Sequence, residues 1–131
     1  MSHIYSFEKL DVWMEARKWV VWIYKITENF PTEERFGLIS QIRRAALSVV
    51  SNLAEGSARK SSKDQAHFSQ MAYSSLIEVL NQLIISTDLK FISDEILKEG
   101  RSLIEGLTSK VAALRNAQLA RPKFSTLNSQ L

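Results

Sequence analysis

Residues 41–60 constrain the fold of this chain more than any other stretch. The sequence QIRRAALSVVSNLAEGSARK places two adjacent arginines at the head of a strongly apolar segment, which ends in Glu-Gly before a short basic loop. On a helix, the apolar side chains of this segment spread over an arc of about 200°. A helix that packs on one side needs an arc of only about 100°. The pattern therefore predicts a helix that is buried on more than one side.

Composition favours a single helical domain. A chain of 131 residues is long enough for one core, and its 4 Gly and 2 Pro favour long helices over many turns. The chain has no cysteine, which excludes disulfides and thiolate metal sites. The N-terminal residues lack a secretory signal, and the longest apolar run, residues 19–24, is too short to span a membrane. We expect a cytoplasmic protein with no membrane partner.

Four helical segments are separated by short joints. The first, about residues 7–29, ends before Pro31 because the residue preceding a proline disfavours the helical conformation. The second follows Thr32 as N-cap and runs to about Ser57, with Gly56 as its terminator. The third, to about residue 89, opens with a capping-box pattern at Ser62. Ser93 caps the fourth, which runs to about residue 119. The prediction is an all-α, up-down-up-down antiparallel four-helix bundle over residues 1–119, with a mobile tail at 120–131.

Folding these segments back on one another predicts a polar layer inside the bundle. Arg17, Glu78 and Glu105 come level with the arginine pair, Arg43 and Arg44. Arg43 also falls within the apolar arc of its helix. We therefore interpret the pair as an internal clasp with Glu78 rather than as a surface group.

The first helix has an even wider apolar arc, of about 240°. Trp22 is an isolated aromatic residue among the charged side chains of this helix. Two interpretations remain open for the wide arcs. Both helices could be central in a compact monomer, or both could bury a surface against other copies of the chain.

No set of catalytic or metal-binding residues emerges from the sequence. Glu55 and Glu78 could form an acid and base pair, but Glu55 precedes Arg59 by four residues, the favourable spacing for a helix ion pair. Asp64 and His67 give one partial match to the paired motif of a di-metal bundle. Glycine-rich phosphate loops and nucleophile elbows are missing. We expect a non-enzymatic protein without a metal or cofactor.

A small basic cluster is the remaining candidate for function. Arg59, Lys60 and Lys63, with Arg44, could contact the phosphates of a nucleic acid. The alternative is that the loop residues form an ordinary solvated turn. The net charge of +3 is only a weak basic bias, although ring assembly would repeat each cation around one face.

The order of motifs carries a family resemblance. FEKLDVW at residues 7–13, QIRRAA at 41–46, NLAEG at 52–56 and SLIE at 75–78 occur in this order. The chain closely resembles the four-helix-bundle proteins encoded in intervening sequences of bacterial 23S rRNA genes, over about residues 7–114. The family's arginine pair falls on Arg43 and Arg44, and its motif continues through Asn52, Glu55 and Gly56. The resemblance implies a homopentameric ring in a bacterial cytoplasmic protein of poorly defined role.

A more distant resemblance in shape is to the accessory protein of diversity-generating retroelements. That resemblance implies a pentameric barrel whose basic surface engages nucleic acid and a reverse transcriptase. We therefore expect a homo-oligomer that binds RNA, DNA or a nucleic-acid enzyme through its basic rim. The alternative is a scaffold ring that binds a protein partner through exposed apolar surface.

Overall fold

A computed structural model describes residues 2–122, which contain four α-helices and no strand. The helices are α1 (Asp11–Thr27), α2 (Leu38–Ser57), α3 (Ser62–Asp88) and α4 (Asp94–Ala120), with short 3-10 helices at Ser6–Lys9 and Thr32–Glu34. The predicted all-α class with four helices is confirmed. Most of the predicted tail, residues 123–131, lies outside the described residues.

Of the four helix starts, only that of α4 agrees with the sequence. α1 begins at Asp11 rather than near residue 7, because Ser6–Lys9 forms a separate 3-10 helix and Leu10 is extended. Ser93 caps α4, where its Oγ accepts the Ile96 amide at 3.2 Å. At α3, Ser61 rather than Ser62 is the cap, because its Oγ accepts the amide three residues ahead. Residues 32–34 form only a 3-10 helix, so Thr32 does not cap α2. That helix begins at Leu38, whose amide donates to the Glu34 carboxylate at 3.3 Å.

One apolar core joins all four helices. α3 packs closely along both α2 and α4, whereas α1 packs on α2 and less closely on α4. None of the described helices is long and apolar enough to cross a membrane. The largest fully buried apolar side chains come from every helix: Ile23, Ile42, Val49, Leu76, Val79, Leu83, Ile104 and Val111.

Gly56 has a packing role instead of the predicted role as helix terminator. α2 ends at Ser57, as predicted, but Gly56 is a residue of the helix, and no glycine in the described residues has the positive φ typical of a helix terminator. A Cβ at position 56 would lie 2.8 Å from the Cβ of Phe68. Because real Cβ atoms do not approach this closely, glycine is what allows α2 and α3 to meet at this point.

Candidate nucleic-acid interface

The predicted polar layer does not form inside the chain. Arg17, Arg44, Glu78 and Glu105 are exposed, and Arg43 is half-buried. The layer was predicted from the height of each residue along the bundle axis, and height alone does not determine whether a side chain points inward. The inward positions of α3 and α4 nearby are apolar, at Leu76, Val79 and Ile104. Among residues 2–122 the single ion pair joins Lys110 to Glu15, outside the predicted layer.

Arg43 joins α2 to the end of α1 through uncharged partners. Its Nε donates to Thr27 Oγ1 at 2.9 Å, and its Nη2 donates to the Tyr24 carbonyl at 3.2 Å. Its guanidinium carbon also lies 4.4 Å from the centroid of the Tyr24 ring. Thr27 is fully buried and donates to the Ile23 carbonyl at 2.9 Å. Arg43 therefore clamps two helices, as expected for a structural residue, but without Glu78.

A cationic surface forms where the α2–α3 joint meets the end of α4. Arg59, Lys60 and Lys63 are all exposed there. Gln65 connects the two parts, because its Nε2 donates to the Arg59 carbonyl at 2.9 Å and its Oε1 accepts from Arg121 Nη1 at 2.6 Å. We call this surface the basic end, and it comprises Arg59, Lys60, Lys63, Arg115 and Arg121.

Polar contacts between α3 and α4 hold the basic end together. Ser69 donates to Gln118 at 2.7 Å, and both residues are buried. Arg115 donates to Gln70 and lies with its guanidinium carbon 5.7 Å from the Tyr73 ring centroid. The sequence analysis missed the contribution of α4. The signal was available, because folding the chain about the α3–α4 joint places residues 115–121 beside the start of α3.

Arg59 lies on an aromatic ring. Its guanidinium carbon is 4.5 Å from the ring centroid of Phe68, and the exposed His67 ring stands edge-on to the same phenyl group at 5.9 Å. The predicted ion pair with Glu55 is not formed within the described residues. Asp64 and His67 also do not belong to any group of three or more possible metal ligands in residues 2–122.

Arg44, the fourth predicted nucleic-acid residue, is not part of the basic end. It precedes Arg59 by fifteen positions, which is about 22 Å along a helix axis. Arg44 instead lines a shallow depression with Phe36 and Leu47. Phe36 is 89% exposed, and Leu47 is 44% exposed. The four predicted cations therefore divide between two surfaces.

The remaining family-motif residues differ in their surroundings. Asn52 Nδ2 donates to the Ser48 carbonyl at 2.8 Å and lies 3.0 Å from its Oγ, which is itself 3.0 Å from the Ser75 Oγ. Glu55 is exposed on the same helix. Gly56 therefore serves contact between α2 and α3 by close approach, whereas Asn52 bonds within α2 to Ser48, the residue that reaches Ser75 on α3.

The fold and the basic end define an all-α, four-helix protein with a cationic surface where three chain segments meet. The chain belongs to the family of 23S rRNA-intervening sequence proteins, whose family model matches residues 8–113. This match confirms the resemblance and reaches all four helices. It includes Arg59, Lys60 and Lys63 but ends before Arg115 and Arg121. No curated protein matches the chain.

Proposed function

We propose that this protein is a non-enzymatic, homo-oligomeric helical bundle that binds nucleic acid through its basic end. The observation that carries this proposal is the convergence of five cations from the α2–α3 joint, α3 and the end of α4. Lysine and arginine side chains bind phosphates and release condensed counterions, which gives affinity for nucleic acid irrespective of sequence. RNA, DNA or the nucleic acid carried by a processing enzyme would fit this chemistry, and no cofactor is required.

The charge of the basic end is available to a ligand. Within the described residues, none of its five cations forms an ion pair with a carboxylate. The arginines of α4 instead donate to the neutral side chains of Gln65 and Gln70. Neutral partners orient a guanidinium group without cancelling its charge. The surface therefore retains its attraction for phosphate.

The same proposal includes an up-down-up-down arrangement of the helices and a homopentameric ring. Cross-helix contacts support the arrangement, since consecutive helices are joined by short turns and bonded side by side at Arg43 and at Ser48. Exposed apolar residues on three helices and in the α1–α2 connection support the ring, because contact between two different faces closes into a ring when the rotation permits. These residues are Val21, Phe36, Leu47, Ile77 and Ile85. A ring would repeat the basic end around one rim and strengthen its field.

Binding of a structured RNA at several salt concentrations tests the nucleic-acid function. We expect the logarithm of the affinity to fall linearly with the logarithm of salt concentration. Reversing two charges, Arg59→Glu with Lys60→Glu, should lower the steepness of that dependence by about two. Lys98→Glu is the matched control, because Lys98 is exposed near the opposite end of α4. Affinity that is independent of salt, or unchanged by the double reversal, would contradict the proposal.

A second candidate function is a scaffold that binds a protein partner, and the exposure of Phe36 favours it. Phe36 is 89% exposed and shares a depression with the exposed Leu47, so the two form apolar surface that a partner would remove from water. The light-scattering mass of Phe36→Ala distinguishes the possible roles of this residue. A fall in mass from oligomer to monomer would place Phe36 between copies of the chain. An unchanged mass, with loss of a protein captured in the absence of nucleic acid, would support the scaffold.

A further inference from the structure

The pairing of Arg59 with Phe68 adds a planar surface to the basic end. The guanidinium carbon lies 4.5 Å from the ring centroid, so one side of the group is covered by the ring. The residue as a whole is nevertheless exposed. Its side-chain nitrogen atoms make no hydrogen bond within residues 2–122, in contrast to those of Arg43. The guanidinium group of Arg59 is thus held in place by the ring, while its hydrogen-bond donors remain available to a ligand.

We propose that Arg59, supported by Phe68, is a stacking platform for an unpaired base, and that the basic end consequently prefers single-stranded to duplex nucleic acid. This inference rests on the proposed function, because it names the class of nucleic acid that the same surface takes. Lys60, Lys63 and Arg121 would hold the phosphates on either side of the stacked base.

The platform is supported from below. Phe68 is half-buried, and its Cβ packs so close to Gly56 that a Cβ at position 56 would lie only 2.8 Å from it. The Arg59 carbonyl is held by Gln65 Nε2 at 2.9 Å. Both the backbone of Arg59 and the ring beneath its side chain are therefore restrained before a ligand arrives. Restraint of this kind reduces the entropy lost on binding.

The chemistry of the guanidinium group selects unpaired bases. It is planar, delocalised and weakly hydrated, so it stacks on aromatic faces in a way that a lysine ammonium group does not. Each base of a duplex is covered by its neighbours on both faces, whereas the bases of single strands can be splayed out and stacked on protein groups. Phosphate contacts alone would not give this preference for single strands, because both single strands and duplexes carry phosphates.

The test uses the full chain with a single-stranded RNA carrying 2-aminopurine, compared with a duplex of the same length. We expect the wild type to bind the single strand more tightly and to raise its fluorescence, because neighbouring bases quench 2-aminopurine and a base drawn onto the guanidinium plane leaves their stack. Arg59→Lys keeps the charge but loses the plane, and should weaken single-strand binding about tenfold and abolish the rise in fluorescence. Lys60→Gln is the matched control for charge, and should weaken binding to both forms by a similar factor.

Two outcomes separate failure of the platform from failure of the proposed function. If Arg59→Lys binds and raises the fluorescence like the wild type, or loses equal affinity for both forms, the platform is wrong while nucleic-acid binding stands. If the wild type binds neither form at low salt, the proposed function is wrong and the platform falls with it. Phe68→Leu provides a second variant with the charge intact, and it should also lose the rise in fluorescence. Circular dichroism and light scattering establish that each variant remains folded and assembled.

Discussion

Arg43 and Arg59 make the same aromatic contact in two different regions of the molecule. Their guanidinium carbons lie 4.4 and 4.5 Å from the ring centroids of Tyr24 and Phe68. Arg43 also donates two hydrogen bonds across the α1–α2 boundary, whereas the side chain of Arg59 makes none within the described residues. The ring contact therefore does not determine what an arginine does. The difference lies in whether its donors are already used.

The largest expected effect is on stability when Arg43 is removed. Arg43→Met keeps an apolar stem beside Tyr24 but leaves the buried Thr27 hydroxyl without its donor. Hydrogen bonds that involve a charged group contribute about 1.5–3 kcal/mol each, but Arg43 is half-buried and water replaces part of its two bonds, so we expect a total loss of about 2–3 kcal/mol in the free energy of unfolding. Urea denaturation measures this loss. Arg59→Met is the control, and should change stability by no more than about 0.5 kcal/mol as an exposed site. Equal losses in both variants would remove the distinction between the two arginines.

The next largest effect is expected at Gly56, which lies beside Phe68, the residue whose ring carries Arg59. Gly56→Ala places a methyl group 2.8 Å from the Cβ of Phe68, so either the helices separate or the ring moves. Overpacking of this kind costs about 1–3 kcal/mol, and the variant should also shift the platform under Arg59. Gly106→Ala in α4 is the control, since a Cβ there meets no atom within 4 Å among the described residues. The control should gain about 0.5–1 kcal/mol, because alanine favours the helix interior over glycine. Both values follow from denaturant unfolding, and a neutral Gly56→Ala would mean that α2 and α3 adjust freely.

The sequence predicted the helices better than it predicted their contacts. Periodicity and capping residues located all four helices and the cap at Ser93. The contacts of Arg43 and Arg44 could not be predicted in the same way. The position of a residue on a helical arc indicates which way its side chain points, but not which residue it contacts. Arg43 was expected to belong to a charged layer with Glu78, whereas its observed partners are Thr27 and a carbonyl group. Charge pairing alone suggested Glu78, which points to solvent.

The candidate site was predicted in part for a similar reason. Arg59, Lys60 and Lys63 are neighbours along the chain, so their proximity followed from the sequence. Arg121 is 56 positions from Gln65 and joins them only through the packing of α4 on α3. Arg44 was grouped with the cluster by charge and by its place on the same helix, although the length of α2 separates it. Local spacing therefore predicts a cluster within one turn, whereas cations from a distant helix join it only when the helices are folded back on one another.

A double-mutant cycle sharpens the structural side of the comparison. Thr27→Val removes the hydroxyl that accepts from Arg43 Nε, and the volume of the side chain stays nearly the same. If the two side chains act together, their combined loss should be smaller than the sum of the single losses by about 1 kcal/mol. The coupling is measured by urea unfolding of both single variants and the double variant. Additive losses would show that Arg43 stabilises the chain through Tyr24 alone.

The smallest effect on stability is expected at Gln65, which bonds to the backbone of Arg59. Gln65→Leu removes both the donor to the Arg59 carbonyl and the acceptor for Arg121. Water can replace partners at this exposed boundary, so the loss should be about 0.5 kcal/mol, at the lower end of the range for a hydrogen bond. Gln41→Leu, an exposed glutamine on α2, controls for the added apolar surface. A loss as large as that of Arg43→Met would make Gln65 the true clamp of the basic end. The α2–α3 joint would then be as tightly built as the α1–α2 boundary, and Arg59 would be held by its backbone more than by its ring.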